Sequence, residues 1–452
     1  MAEDVDVVVI GLGPGGENAA GLLADAGLRV VGVESRLVGG ECPYWACVPT
    51  KMMVRAGDLV RDAHRARDLA AETTVRPDWS RVAGRIRDDA TNDWTDGPAA
   101  DRLTKRGVTL VRGAGVITGP GEVTVGDRVF RAGRGIVLNT GTSPSVPPID
   151  GLDGTPYWTN RDVVAVPTVP ASLLVLGGGV VGVETAQVFA RFGTRVTIVE
   201  GGPRLLSREE PEVGDLLGQV FEREGIDVRT NTRATGVSHD GGFTLHTGDG
   251  DLTAERLLVA TGRHSNLPGL GLGRIGLRED ARFVDVDGAM RAADGVWAIG
   301  DITGKGAFTH VSMYQSEIAV RAILDRPGPP AAYRAVPRVT FTDPEIGVVG
   351  LTEKEAEDQN LPVRTGFTRI QDSTRGWIQG PGGEGFIKLV ADTEWGILVG
   401  ATVMSPMGGE ILGALAVAVH AEVPIDTLRT MIYAYPTFHR AIESALTDLE
   451  AT

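Results

Sequence analysis

The run Val5-Asp6-Val7-Val8-Val9-Ile10-Gly11-Leu12-Gly13-Pro14-Gly15-Gly16 decides how the rest of the 452-residue chain is read. Its β-branched first half predicts a strand buried on both faces, as in a parallel sheet. The glycines after it open a helix of small residues through Ala19, Ala20, Leu22 and Ala24. Arg29-Val30-Val31-Gly32-Val33 predicts the next strand, which ends at Glu34. Strand, G-x-G-x-x-G turn, helix and strand-end acid make a dinucleotide fingerprint. The glycines let the backbone approach a pyrophosphate at the helix N-terminus, and the acid takes ribose hydroxyls.

The same cassette recurs. Ser172-Leu173-Leu174-Val175-Leu176 leads into Gly177-Gly178-Gly179-Val180-Val181-Gly182, and a helix follows through Ala186, Val188, Phe189 and Phe192. The strand Arg195-Val196-Thr197-Ile198-Val199 then ends at Glu200. Gly11 to Glu34 and Gly177 to Glu200 are both 23 residues. Two such folds imply two dinucleotides. A second matched pair, Gly135 to Gly141 and Arg256 to Gly262, predicts buried strands that end in Thr140-Gly141 and Thr261-Gly262, where a turn can approach a cofactor closely. Gly295 to Asp301 predicts a further strand ending in an acid. Residues 52–106, rich in Arg, Asp and Ala at helical spacing, predict exposed helices, and 107–135 carries short strands at Val108 to Val111 and Glu122 to Val125.

Pro327-Gly328-Pro329-Pro330 marks a boundary. Beyond it lie strands (Arg338 to Phe341, Gly385 to Val390) and helices (Gly409 to Val419, Ile425 to Met431), with no dinucleotide signature. A net charge of −15 and a pI near 5 exclude an electrostatic nucleic-acid surface. No run approaches the 18 or so apolar residues of a membrane span. Met1-Ala2-Glu3-Asp4 lacks the basic and apolar regions of a signal peptide, so a cytoplasmic protein is expected. Two cysteines do not make a secreted disulfide framework.

Those two cysteines lie in Gly39-Gly40-Glu41-Cys42-Pro43-Tyr44-Trp45-Ala46-Cys47-Val48-Pro49-Thr50-Lys51. A regular helix would hold residues five apart too far from each other for a disulfide. Pro43 and Pro49 argue against a regular helix, and a distorted turn lets the sulfurs meet. The spacing alone leaves open whether they are inert buried thiols or a redox pair.

Two cassettes, this C-x4-C, Val339-Thr340-Phe341-Thr342-Asp343-Pro344-Glu345-Ile346-Gly347 and a Tyr435-Pro436-Thr437 ending together resemble the class I flavoprotein pyridine nucleotide–disulfide oxidoreductases. That family includes dihydrolipoamide dehydrogenase, glutathione, mycothione and mercuric reductases and the soluble transhydrogenase. The resemblance covers essentially the whole chain. It implies an α/β fold of two Rossmann-like dinucleotide-binding domains plus a C-terminal α+β dimerisation domain. The expected boundaries are 1–148 and 267–332 for FAD, 149–266 for NAD(P) and 333–452 for dimerisation. It further implies FAD in the first cassette, NADH or NADPH in the second, a homodimer and a small-molecule substrate; no nucleic-acid partner, membrane partner or metal site is expected. Cys47 would be the thiol against the flavin and Cys42 the one facing substrate. Lys51 and Glu184 would be the ion pair beside the flavin N5, where a cation stabilises the reduced ring. The cofactor-binding set is Gly11, Gly13, Gly16, Glu34, Gly40, Lys51, Gly115, Thr140, Gly141, Gly177, Gly179, Gly182, Glu200, Gly262, Arg263 and Asp301. Glu200 favours NADH, since a carboxylate repels a 2′-phosphate, and Arg204 nearby softens that preference.

The pattern departs from the family in three places. Its catalytic His and the Glu five residues on are replaced by Tyr435 and Arg440, and tyrosine is a poor base at neutral pH. His439, nearby, is the candidate substitute. Tyr435 and Trp45 resemble the transhydrogenase branch, which lacks the second cysteine present here as Cys47. Glu41 stands where the family usually has Thr near the FAD phosphates, and its carboxylate would repel them unless Arg36 or a metal ion compensates. Tyr44, Trp45, Tyr435, Phe438 and His439 are the residues nominated for the substrate cleft. The expected function is electron transfer between nicotinamide, flavin and the cysteine pair to a small disulfide, dithiol or other substrate. The alternative is a quinone diaphorase or transhydrogenase acting directly from the flavin.

Overall fold

The computed structural model describes residues 2–451. Two compact units are formed, each from three stretches of chain. One takes residues 1–49, 84–145 and 263–333; the other takes 50–83, 146–262 and 334–452.

In the first unit Glu3–Ile10 is the central strand. It runs parallel to Val30–Glu34 on one side and Arg128–Leu138 on the other. Thr109–Arg112 and Val296–Ala298 extend the parallel sheet outward, and the hairpin Gly115–Gly119/Glu122–Val125 joins it antiparallel. Alternate residues of the central strand feed two cores. Val7 and Val9 pack with Ala19, Ala20 and Leu23 of the helix Pro14–Asp25 and Ile318 and Ala319 of Thr309–Ile323. Val8 and Ile10 pack with Ile117, Val123 and Val125 of the hairpin. Full burial of each such side chain stabilises by roughly 1.5–3 kcal/mol, which explains the unbroken valine run. The strand predicted for Gly295 to Asp301 stops at Ala298, because Gly300 (φ +78°) turns the chain into a 3-10 helix over Gly300–Thr303.

The second unit holds a parallel sheet in the order Asp227–Arg229, Arg195–Val199, Ser172–Leu176, Arg256–Val259. Beside it are a three-stranded meander (234–254) and a five-stranded antiparallel sheet in the order Pro337–Thr340, Glu345–Gly350, Ile397–Ser405, Phe386–Asp392, Val363–Arg369. The five-stranded sheet is packed by the helices Gly408–His420 and Ala441–Ala451 through Leu412, Leu415, Ala445 and Leu446. Lys388, 6% exposed, lies within 2.9 Å of Glu210 and Glu212 and 2.8 Å of Glu353. Those carboxylates hold its ammonium well above the ordinary lysine range despite desolvation.

Most of residues 52–106 is helical as expected, with non-helical connections at 70–78 and 91–96, but the helices are not uniformly exposed. Trp79 donates from Nε1 to Val166 O at 2.9 Å and packs 5.1 Å from the rings of Phe189 and Phe192, which anchors the helix Trp79–Arg85. Ile86 and Leu103 are buried too. One large apolar residue per turn is enough to dock a helix whose charged residues dominate its composition. Among the described residues no helix is long and apolar enough to cross a membrane.

Candidate active site

The helix Pro14–Asp25 begins after Gly13, whose backbone is extended and which provides no side-chain cap. Its first N–H groups are therefore open to an anion. Gly11 (φ +91°) passes so close to the end of Arg128–Leu138 that a Cβ would sit 2.4 Å from Asn139 O. A Cβ on Gly16 would lie 2.0 Å from Gly11 O, and one on Gly40 (φ +67°) 2.8 Å from Gly13 Cα. Glu34 accepts from Leu12 N at 2.8 Å and Arg36 N at 2.7 Å. Burial pushes its carboxyl up, against those two amides.

The second cassette repeats this geometry. Glu200 accepts from Gly178 N and Gly202 N, both at 2.6 Å. Gly179 precedes Val180–Arg191 without a side-chain cap, and a Cβ on Gly182 would meet Gly177 O at 2.1 Å. In both cassettes the strand-end acid is tied to the residue after the first glycine.

Around the first cassette the strand Arg263–Ser265 pairs antiparallel with Thr142–Pro144. Thr142 Oγ1 donates to Asp301 Oδ2 at 2.6 Å and accepts from Arg263 Nε at 2.7 Å. Arg263 Nη2 donates to Thr142 O at 2.8 Å and lies 3.5 Å from Glu41 Oε2. Arg263, not Arg36, is thus the cation beside Glu41. Arg36 instead gives its amide to Glu34, and its carbonyl accepts from Arg112. Gly115 packs inward, its Cβ position 3.1 Å from Ile10 Cγ2. Gly141 has φ +65° and, in the other unit, Gly262 has φ +117°. Thr140 Oγ1 is buried with no hydrogen-bond partner. An uncapped helix N-terminus, a side-chain-free cradle, a pinned acid and an orphaned hydroxyl fit the sugar–phosphate chain of FAD. Sequence reading passed over Asn139 and Ser312. Asn139 Nδ2 donates to Gly11 O at 3.3 Å, and Ser312 donates to Asn139 Oδ1 at 3.3 Å. Single polar residues at a strand end and inside a helix carry no spacing signal.

The cysteine segment folds as two helical pieces. Glu41–Tyr44 is one turn, Trp45 (φ −136°) breaks it, and Cys47–Leu69 starts anew. Pro43 and Pro49 each stand third in their helix, where no intrahelical N–H bond is lost. Cys42 is half-buried and Cys47 exposed. Cys47 Sγ lies 3.5 Å from Thr309 Oγ1, at the first residue of Thr309–Ile323. Tyr44 is a packing residue, buried with its hydroxyl donating to Val38 O at 3.1 Å. Trp45 is half-buried, its ring 5.8 Å from that of Tyr44.

In the second unit Lys51 Nζ is 2.6 Å from Glu184 Oε2 and 4.6 Å from the centre of the Phe341 ring. Glu184 Oε1 accepts from Phe341 N at 2.8 Å, so both carboxylate oxygens are engaged. Tyr435 is 66% exposed and donates to Thr374 Oγ1 at 3.3 Å. The Arg440 guanidinium lies 5.5 Å from the Tyr435 ring centre and pairs with Glu443 at 2.9 Å. His439 is half-buried, with Nε2 3.5 Å from Thr437 Oγ1. Phe438 is buried under the Arg375 guanidinium, 4.7 Å away, and packs rather than lining a cleft.

Further along the helix Cys47–Leu69, Asp58 pairs with Arg191 at 2.8 Å. Burial raises the Asp58 carboxyl to about 6; Arg191 opposes this, while Asp343 and Asp62 add to it. Because the folded value exceeds the unfolded one, the folded state holds this proton more tightly. The contribution favours the fold in acid and is lost as pH rises through about 6. Asp58→Asn cannot ionise. Relative to wild type it is expected to gain on the order of 1 kcal/mol between pH 5 and pH 7.5, allowing for the exposed third of the side chain. Thermal melts of both proteins at the two pH values check this.

Comparison with known proteins supports the same reading. Residues 5–316 match the family described as pyridine nucleotide-disulphide oxidoreductase, and residues 336–446 match its dimerisation domain. The dihydrolipoyl dehydrogenase of Chlorobaculum tepidum is 33% identical over 99% of this chain and 97% of its own length. The mercuric reductase of Acidithiobacillus ferrooxidans is 33% identical over 98% of this chain and 82% of its own. The crystal structure of LpdA from Mycobacterium tuberculosis superposes with a TM-score of 0.86 at 26% identity, covering 99% of this chain and 100% of that one. With paired nucleotide cassettes, a cysteine pair and end-to-end similarity of this extent, the chain belongs to the pyridine nucleotide-disulphide oxidoreductase family, as an FAD-dependent enzyme that uses NADH or NADPH.

Proposed function

We propose that the chain is a cytoplasmic homodimer that reduces or oxidises a small disulfide- or dithiol-type substrate through Cys42 and Cys47, with NADH preferred. In this reading residues 1–148 and 267–332 form the FAD domain, 149–266 the nicotinamide domain and 333–452 the face toward the second subunit. Gly11, Gly13, Gly16, Gly40, Gly115, Thr140, Gly141, Arg263 and Asp301 surround FAD, with Glu34 on its ribose. Gly177, Gly179, Gly182, Glu200 and Gly262 serve the nicotinamide dinucleotide. When bound, FAD supplies the two-electron exchange between the nicotinamide and the sulfur pair.

The observation that carries the proposal is the helix break between the cysteines, which leaves Cys47 at the head of a 23-residue helix. A helix N-terminus stabilises a thiolate. For a disulfide substrate, Cys42 attacks one sulfur. The substrate S–S bond breaks, a mixed disulfide forms, and the first thiol leaves with a proton. Cys47 then attacks Cys42 Sγ, the mixed disulfide breaks, the Cys42–Cys47 bond closes and the second thiol leaves. Two electrons have moved from the cysteines to the substrate. Lys51, held by Glu184, places its cation where negative charge collects. Tyr435 donates a hydrogen bond, and His439 is the group in that segment suited to carrying the proton.

A second reading, direct transfer to a quinone or another nicotinamide, draws on the absence of an imidazole–carboxylate pair at positions 435 and 440, where Arg440 is engaged with Glu443. Anaerobic titration with NADH tests the first. A long-wavelength absorbance band after two electrons is expected, from a Cys47 thiolate against the flavin. Bleaching with no such band would leave the second reading in possession.

A further inference from the structure

Lys51 and Asp58 stand seven residues apart on Cys47–Leu69, and Glu184 and Arg191 stand seven apart on Val180–Arg191. Lys51 pairs with Glu184 at 2.6 Å and Asp58 with Arg191 at 2.8 Å. Equal steps in the same direction mean that the two helices run side by side in parallel, joined by two rungs about 10 Å apart. The rungs have opposite polarity: cation to anion at one, anion to cation at the other. Gly57 marks a close approach, since its Cβ position is 3.5 Å from Arg191 Cδ and 3.7 Å from Val188 Cα.

The lower rung is built into the interior. Arg191 is 5% exposed and also meets Glu224 at 2.9 Å and Asp343 at 2.8 Å. From the cysteine helix, Arg65 reaches the same Asp343 oxygen at 2.8 Å, and Arg61 lies 3.7 Å from Glu224. Between the rungs, Gln187 accepts from Asp343 N at 2.8 Å and donates to Asp343 O at 2.9 Å. Glu184, Gln187 and Arg191 thus form one helix face that grips the segment 341–343 at every step and the cysteine helix at both ends.

We propose that Arg191, with Asp58 and Asp343, is the positioning element for Lys51, fixing the register of the cysteine helix and hence the place of the Lys51 ammonium. The inference rests on the reading of Lys51 as the cation at the flavin. Glu184 cannot follow a displaced lysine, because its other oxygen is held by Phe341 N. Only the parallel register satisfies both rungs. Removing the guanidinium takes away the lower rung, leaves Asp58 facing Asp343 and Glu224 without its cation, and leaves only Arg61 and Arg65 to hold the register of the helices. A displacement near 1 Å is enough to degrade electrostatic preorganisation.

The test compares Arg191→Met, Asp58→Asn and Lys51→Met as FAD-loaded full-length proteins. The first readout is the two-electron midpoint potential of the bound flavin, from equilibration with a reference dye. The second is hydrogen exchange at the amides of residues 50–54. Lys51→Met is expected to lower the flavin's reduced-to-oxidised ratio at fixed potential about tenfold, or about 30 mV. Arg191→Met should move it the same way by at least half as much in millivolts and speed exchange at 50–54, with Asp58→Asn following in smaller measure. A folded, yellow Arg191→Met protein with wild-type potential, beside a shifted Lys51→Met, overturns the inference. Should Arg191→Met fail to fold, an unshifted Asp58→Asn overturns it equally. An unshifted Lys51→Met overturns the reading of Lys51 itself and this inference with it, and that result alone tells the two failures apart.

Discussion

Gly16→Ala should emerge from purification colourless. The added methyl would lie 2.0 Å from Gly11 O and 2.8 Å from Asn139 Nδ2, and the nearer of these is backbone. The loop has no slack to absorb it. Gly11 is itself pressed against Asn139 O, and the helix behind it is fixed by Ala19, Ala20 and Leu23 in the core. Overpacking of this kind costs about 1–3 kcal/mol, which a protein of this size survives, so circular dichroism should stay near wild type. If this loop holds the FAD pyrophosphate as proposed, binding has no such tolerance, because the loop amides must approach it directly. Gly182→Ala is the matched experiment in the second cassette, with its methyl 2.1 Å from Gly177 O. That protein should stay yellow and be bleached by dithionite, yet resist NADH by about a hundredfold or more in rate. Visible absorbance after desalting and stopped-flow reduction read the two outcomes. A yellow Gly16→Ala protein, or a colourless Gly182→Ala one, would reverse the assignment of the cassettes.

The second large effect belongs to Cys42. With serine there, turnover of a disulfide substrate should fall by about three orders of magnitude or more, since the attacking sulfur is gone. Reduction of the flavin by NADH should stay within about twofold, because the proposed role confines Cys42 to substrate and Cys47. Cys47→Ser should abolish the same turnover and, unlike Cys42→Ser, also the long-wavelength band. Assays with a quinone acceptor separate the readings. If Cys42→Ser keeps full quinone turnover while no disulfide is turned over by wild type, the sulfur pair is incidental and electrons leave the flavin directly.

The two nucleotide cassettes were legible in the chain because their signals are local. Valine runs, glycines with positive φ and strand-end acids act within about 25 residues, and Ser172–Leu176 and Arg195–Val199 fall where the pattern puts them. The cysteine segment was half legible: Pro43 and Pro49 announced an irregularity, but not that it would be a single break at Trp45. What stayed hidden was long-range. Glu41 looked to need Arg36, five residues away, yet its counter-charge comes from Arg263, carried there by a two-stranded ribbon. Asp58, Arg191 and Asp343 carry no local signal of their pairing, which shows only when the helices are laid side by side. The burial of Trp79 and Ile86 was masked by arginines and aspartates around them, because composition averages over faces that packing distinguishes.

Lys388 has a consequence for how the chain can be divided. Its ammonium joins the acidic start of the helix Pro211–Arg223 to the five-stranded sheet, and Arg338 repeats the connection through Glu209 at 2.8 Å. Cutting the gene just after Tyr333 would therefore strand Glu209, Glu210 and Glu212 with no cation to answer them. The amino-terminal piece would carry both nucleotide motifs but lose the ion pairs that tie this helix to the rest of its unit.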